Sequence, residues 1–221
     1  MRSFLPRAIY IWPFGEYHVI HGEMSDFEQT MADDQTSVQK FRLKKTIVMV
    51  GMMGAGKTAV GRALAAKLNV PFLDSDAEIE TAANLTVPEI FERDGEAFFR
   101  KRETEVITRL LESAPAVLST GGGAFLAEQN RQIISEKGLS IWLNADLELL
   151  WNRVKHKDTR PLLRTADPKA TLTAIYEVRV PLYQQADLAV RCDKALSIDA
   201  MADRVLEALA ERPDVMETEN A

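Results

Sequence analysis

The chain has one cysteine, three histidines and no long apolar run. A lone thiol, Cys192, cannot close an internal disulfide; it reads as a small buried hydrophobe, suited to a reducing compartment such as the cytoplasm. A helix that crosses a bilayer needs about 20 consecutive apolar residues, and no such stretch occurs, so no membrane partner is expected. Basic residues are not in excess either. Lys and Arg number 27 against 33 Asp and Glu, for a net charge of -6, which argues against a chain built to neutralise a nucleic-acid backbone. Near the start, Arg2 and Arg7 flank no continuous apolar core and Pro6 interrupts it, which speaks against a secretory signal. His18 and His21 lack a third ligand nearby and read as surface residues rather than a metal pair. What remains is 221 residues, 46% of them hydrophobic, enough to bury a substantial core as one domain with or without an appendage.

The stretch that gives this core a purpose is Gly51-Met52-Met53-Gly54-Ala55-Gly56-Lys57-Thr58. It follows the apolar run Thr46 to Val50 and opens the Ala- and Leu-rich segment Ala59 to Leu68, where a strand would turn into a helix. Glycines let the backbone curl so that several N–H groups face phosphate oxygens, and the helix N-terminus adds its positive end. Lys57 supplies a mobile cation, and the Thr58 hydroxyl a hard oxygen for magnesium. A glycine-rich turn can be purely structural, but its place between strand and helix favours a nucleotide. No Asn-Lys-x-Asp motif is present, which disfavours a guanine-nucleotide switch.

Strand and helix patterns alternate from about Lys44. After the strand to Val50, Val60, Leu64 and Leu68 keep helical spacing. Val70 to Leu73, Ala116 to Ser119, Ser140 to Leu143 and Asp187 to Arg191 read as further strands, with helices between them and a closing helix at Met201 to Leu209. Thr86 and Glu89 have capping-box spacing. The alternation predicts an α/β fold, a parallel sheet with helices on both faces and the ligand at the carboxyl ends of its strands. Residues 1–43 look unlike the rest. Runs at Ala8 to Trp12 and Tyr17 to Ile20 could form a hairpin, and the polar stretch to Lys40 reads as a linker or a poorly ordered arm. Met24 and Met31 leave open a start downstream. The domain is expected over 44–212, with the acidic tail 213–221 frayed.

Four further groups bear on the chemistry. Asp74 and Asp76, around Ser75, end the second strand; alternation sends both to one side, where carboxylates could hold magnesium or orient an attacking hydroxyl. Helix capping is the alternative, since Ser75 and Glu78 also have capping-box spacing. Arg100 stands off the apolar stripe of its helix and could grip a carboxylate with two hydrogen bonds, or simply pair with Glu103 on a solvated face. Gly121-Gly122-Gly123 allows a ligand to lie against bare backbone. The stretch from Arg153 to Pro168 is polar and basic, with Lys155, His156 and Arg164, and could close over a nucleotide or be merely a solvated loop. Arg160, before Pro161, is its candidate cation, and Arg179 lies near a helix end that Pro181 is expected to break.

Six motifs stand in the order and approximate spacing of the shikimate kinases: the phosphate loop, Asp74-Ser75-Asp76, Phe99-Arg100, the three glycines, Arg160-Pro161-Leu162-Leu163, and Arg179 with Pro181-Leu182-Tyr183. The chain resembles that family over about residues 44–209. The resemblance implies a three-layer P-loop fold whose five-stranded parallel sheet runs 2-3-1-4-5, with a mobile lid. It implies transfer of the γ-phosphoryl of ATP to the 3-hydroxyl of shikimate, on the way to chorismate, by a cytoplasmic monomer. By the same resemblance Gly54, Ala55, Gly56, Lys57, Thr58 and Ala59 bind the nucleotide phosphates, and Thr58 and Asp74 hold Mg2+. Asp76 binds the attacking hydroxyl as base or orienter, Arg100 and Arg179 take the acceptor carboxylate, and Gly122 lies near the ring. Arg160 reaches the phosphates from the lid, and Arg153 matches the arginine that stacks on adenine. The segment after Arg191 diverges, so no adenine-covering residue is assigned there. Two rivals stand beside this reading: a small kinase for another acidic acceptor such as gluconate, and a non-catalytic nucleotide-binding module.

Overall fold

The computed structural model describes residues 40–156 and 161–219. The expected N-terminal hairpin, His18, His21 and Arg160 lie outside them. Along the chain come β1 (Lys40–Leu43), β2 (Thr46–Val50), α1 (Lys57–Leu68), β3 (Phe72–Asp74), α2 (Ser75–Ala83), α3 (Val87–Leu111), β4 (Val117–Ser119), α4 (Glu128–Lys137), β5 (Gly138–Asn144), α5 (Leu147–Val154), α6 (Pro168–Tyr183), β6 (Leu188–Arg191), α7 (Ile198–Ala210) and β7 (Met216–Glu219). Short 3-10 turns occupy Ala124–Leu126 and Pro161–Leu163.

Five strands form one parallel sheet in the order β3-β4-β2-β5-β6. An unexpected β1 shifts every number by one; counted within the sheet, the order is the anticipated 2-3-1-4-5. The apolar run Thr46–Val50 is buried along its whole length, as a strand covered by helices on both faces must be. It pairs with β4 on one side and β5 on the other. The chain therefore changes direction across the sheet at β2, and the crevice this opens beyond the strand ends receives the phosphate loop. Asp74 leaves the end of β3, and the three glycines follow β4, so three separate turns meet at one edge.

A second, smaller core of Ile79, Ile90 and Phe99 lies under α2 and α3, apart from the main one. The capping box at Thr86 and Glu89 is formed. It starts α3, which breaks at Gly95, where φ is 82° and ψ 169°.

Three expectations need correction. The tail beyond Pro213 is not frayed: Met216–Glu219 pairs antiparallel with Lys40–Leu43, Val215 and Met216 are buried, and the Lys44 ammonium bonds the Pro213 carbonyl and pairs with Glu217. The folded unit thus extends beyond both expected boundaries. Pro181 does not break its helix, because α6 continues to Tyr183; so near the end, the missing N–H removes only one bond. The stretch from Arg153 to Pro168 is not loop throughout, since Arg153 belongs to the last turn of α5 and Pro168 opens α6.

Candidate active site

Gly51, Gly54 and Gly56 all have positive φ, and they curl the loop that joins β2 to α1. At Gly54 a side chain is doubly excluded, because a Cβ would also lie 2.7 Å from the Val154 side chain. Lys57 opens α1 and folds back over the loop, its ammonium donating to the carbonyls of Gly51 at 2.8 Å and Met52 at 3.2 Å. Arg153 Nη1 reaches the same loop from α5 and donates to the carbonyls of Gly54 and Ala55. Two cations therefore brace the backbone whose N–H groups would face phosphate.

Thr58 Oγ1 lies 3.4 Å from Asp74 Oδ2 and 3.3 Å from Ser119 Oγ. Three hard oxygens from α1, β3 and β4 converge here, a donor set that suits magnesium completed by water and phosphate. Among the described residues no three His, Cys, Asp or Glu side chains cluster as a metal site of their own.

Asp74 also caps α2, accepting from the N–H groups of Asp76 and Ala77. The cap is Asp74 itself, and Ser75 is the first helical position. Asp76 is accordingly not the next residue on a strand face, as alternation suggested; it comes near Asp74 through the first turn of α2. Its carboxyl is half-buried, and Oδ1 is sealed from solvent without a hydrogen-bond partner among the described residues. Burial pushes its pKa up to about 6, aided by the charge of Asp74 and opposed by Lys57 and Arg100. A carboxylate with an unspent acceptor, poised near neutrality in a cleft, is a candidate base.

That cleft, of about 550 Å³, is lined by Asp76, Arg100, Gly121, Gly122, Gly123 and Arg179, with Met53, Phe91 and Leu162 among its apolar contacts. The guanidinium of Arg100 bonds Glu103 Oε2 at 2.8 Å and Glu96 Oε1 at 3.2 Å. Glu103 is not a solvated partner: its side chain is 1% exposed. Burial raises its pKa while the Arg100 charge beside it opposes that rise. Arg179 Nη1 and the Tyr183 hydroxyl both donate to the Gly122 carbonyl. The structure thus gathers Asp76, Arg100, Gly122 and Arg179 at one cleft and Lys57, Thr58, Asp74 and Arg153 around the adjoining loop. His156 is exposed in the turn after α5, apart from both groups.

A model of the shikimate kinase family matches residues 53–210. The chain belongs to the shikimate kinase family. It is 74% identical over 175 residues to the shikimate kinase of Ruegeria pomeroyi, covering 79% of this chain and 90% of that protein. To the shikimate kinase of Cereibacter sphaeroides it is 62% identical over 198 residues, covering 90% and 94%. Among solved structures, a shikimate kinase from Acinetobacter baumannii in complex with shikimate superposes with a TM-score of 0.72 at 38% identity, over 76% of this chain and 94% of that one. A gluconokinase from Sinorhizobium meliloti, at 18% identity and a TM-score of 0.51, shares the fold.

Membership of this family makes the chain an ATP-dependent kinase. Sequence reasoning missed Ser119, Tyr183 and the burial of Glu103. Ser119 had no signal beyond ending a strand, Tyr183 stood inside a motif without a role, and Glu103 was visible only as an i,i+3 neighbour.

Proposed function

We propose that the chain transfers the γ-phosphoryl of ATP to the 3-hydroxyl of shikimate, giving shikimate 3-phosphate and ADP in the route to chorismate and the aromatic amino acids. The observation that carries this reading is the position of Asp76: a carboxylate oxygen sealed from solvent, without a hydrogen-bond partner among the described residues, in a cleft that also holds two arginines and three glycines, next to the lysine of the phosphate loop. Arg100 and Arg179 bind the acceptor carboxylate, the planar fork of each guanidinium matching its two oxygens. The Gly122 backbone lies along the ring, and Asp76 accepts the hydrogen bond of the attacking hydroxyl, orienting it and taking its proton.

The loop N–H groups of Gly54, Ala55, Gly56, Lys57, Thr58 and Ala59 bind the phosphates. Lys57 leaves the Gly51 and Met52 carbonyls to follow the β- and γ-oxygens, and Arg160 adds positive charge from the lid. Thr58 and Asp74 would hold Mg2+, which would neutralise charge on the phosphate oxygens. Arg153 lies beside the nucleotide base. The protein's contribution is mainly positioning and fixed positive charge, as phosphoryl transfer requires. Every group named comes from one chain, so a monomer suffices. The proposed setting is the cytoplasm, where a lone buried thiol such as Cys192 stays reduced.

The test is ADP release from Mg-ATP with no acceptor, with shikimate and with gluconate, for the unaltered chain and Lys57→Ala. Shikimate-dependent release lost in Lys57→Ala is expected. Release with gluconate alone would overturn the roles given to the arginines, and release independent of any acceptor would overturn the reaction.

A further inference from the structure

The carbonyl of Gly122 accepts two hydrogen bonds from α6, and the donors sit one helical turn apart. Arg179 Nη1 reaches it at 3.3 Å, a long bond from a half-buried side chain that the proposed function sends to the acceptor carboxylate. Tyr183 reaches it from full burial: the side chain is 0% exposed, and its hydroxyl bond to Gly122 is at the short end for an O–H donor. A backbone carbonyl has two lone pairs and can take both.

The tyrosine ring has little freedom. It stacks between Phe125 and Trp142, with ring centroids 6.5 and 6.4 Å away. Burial holds the phenol above its usual pKa, with Arg179 opposing, so the hydroxyl keeps its proton and remains a donor throughout the neutral range. Arg179 differs in kind: it is a long side chain on the cleft wall, and its bond to Gly122 is one it must loosen to grip an anion.

We infer that Tyr183 is a positioning residue for the acceptor: its hydroxyl alone holds the Gly122 peptide in place when Arg179 turns from that carbonyl to the acceptor carboxylate. The consequence extends to the whole glycine turn. In a trans peptide the Gly123 N–H points opposite to the Gly122 carbonyl, so fixing the carbonyl toward α6 fixes that N–H away from it. The carbonyls on either side are held within the turn, Gly121 by the Ala124 N–H and Gly123 by the Leu126 N–H, whereas the Gly122 carbonyl accepts from α6, and glycine offers no side chain to resist rotation of that peptide. Without the tyrosine hydroxyl, loss of the Arg179 bond on acceptor binding would leave the Gly122 carbonyl without either bond from α6 just as the turn must hold the acceptor still.

The inference rests on the proposed use of Arg179 for the acceptor, and the test separates the two. Acceptor and ATP KM, kcat and thermal unfolding are compared for the unaltered chain, Tyr183→Phe, and a chain with para-aminophenylalanine at 183, whose N–H restores a donor on the same ring. Tyr183→Phe is expected to raise the shikimate KM about three- to tenfold, the range of one neutral hydrogen bond, with ATP KM unchanged, and the amino analogue to recover most of the loss. Should Phe leave the chain unfolded, para-methylphenylalanine, which fills the hydroxyl's volume without donating, replaces it in the comparison. An unchanged shikimate KM in a folded variant without the donor, or equal losses for both substrates, would overturn the role of Tyr183 while leaving the kinase reading intact. No shikimate-dependent turnover in the unaltered chain would overturn both.

Discussion

A side chain on Gly121 would run into Asp76: a Cβ there would lie 2.7 Å from Asp76 Oδ1. The same holds two residues on, where a Cβ on Gly123 would lie 2.5 Å from Arg100 Nη2. The glycine turn is bare because the Asp76 carboxylate and the Arg100 guanidinium occupy the space its side chains would need. Gly121→Ala should therefore displace the carboxylate and lower kcat by about a hundredfold, the scale of an ångström's misplacement. Gly123→Ala should act on Arg100 instead and chiefly raise the acceptor KM. Steady-state kinetics of both variants check this, and a kcat effect of equal size at both positions would contradict the division of roles.

Asp76 also sets a pH dependence. Its carboxyl is raised to about 6 in the folded chain, so it ionises above that pH, and kcat/KM for the acceptor should fall on an acidic limb near 6. Asp76→Asn should lose turnover by orders of magnitude while ATP still binds. For stability the sign is reversed. A carboxyl whose folded pKa exceeds its unfolded value favours folding when protonated, so its ionisation weakens the fold progressively as pH rises from about 4 to 6. Asp76→Asn should accordingly be more stable than the unaltered chain above pH 6, by on the order of 1 to 3 kcal/mol, and the gap should close toward pH 4. Thermal unfolding without nucleotide across that range measures it; a gap independent of pH would refute the assignment.

Removing Arg100 should do two things at once. Acceptor binding is lost, and Glu103, 1% exposed, is left as a buried charge that has lost its ion-pair partner, since its other oxygen has no hydrogen bond among the described residues. Breaking such a pair from one side costs about 3 to 5 kcal/mol. Adding Glu103→Gln to Arg100→Ala should restore much of the stability without restoring the acceptor KM. Recovery of both together would mean that Arg100 serves the fold and not the acceptor.

How far the sequence disclosed this site depends on whether the residues involved are neighbours in the chain. The phosphate loop and the order of strands could be read locally, because glycine spacing and the alternation of apolar runs are set within a few residues. Asp74 and Asp76 were identified for an imperfect reason, since a strand face was assumed where a helix cap brings them near. Tyr183 escaped because its partner, Gly122, lies 61 residues away. The closing strand escaped because Met216–Glu219 looks like an acidic tail until Lys40–Leu43, at the other end of the described chain, lies against it.

That terminal pairing carries its own expectation. Leu43, Val215 and Met216 are buried where the two strands meet the main core. Ending the chain at Arg212 exposes apolar surface worth on the order of 3 kcal/mol, and the midpoint of urea unfolding should fall accordingly. An unchanged midpoint would show that the clasp adds nothing to the fold.

The central claim is tested most directly by identifying the product. The chain is incubated with Mg-ATP and an equimolar mixture of shikimate and gluconate, and phosphorus and proton NMR locate the transferred phosphoryl group. The account predicts shikimate phosphorylated on its 3-hydroxyl, with gluconate unchanged and one ADP formed per product. Phosphate on gluconate, on another shikimate hydroxyl, or free in solution in place of an ester would contradict it.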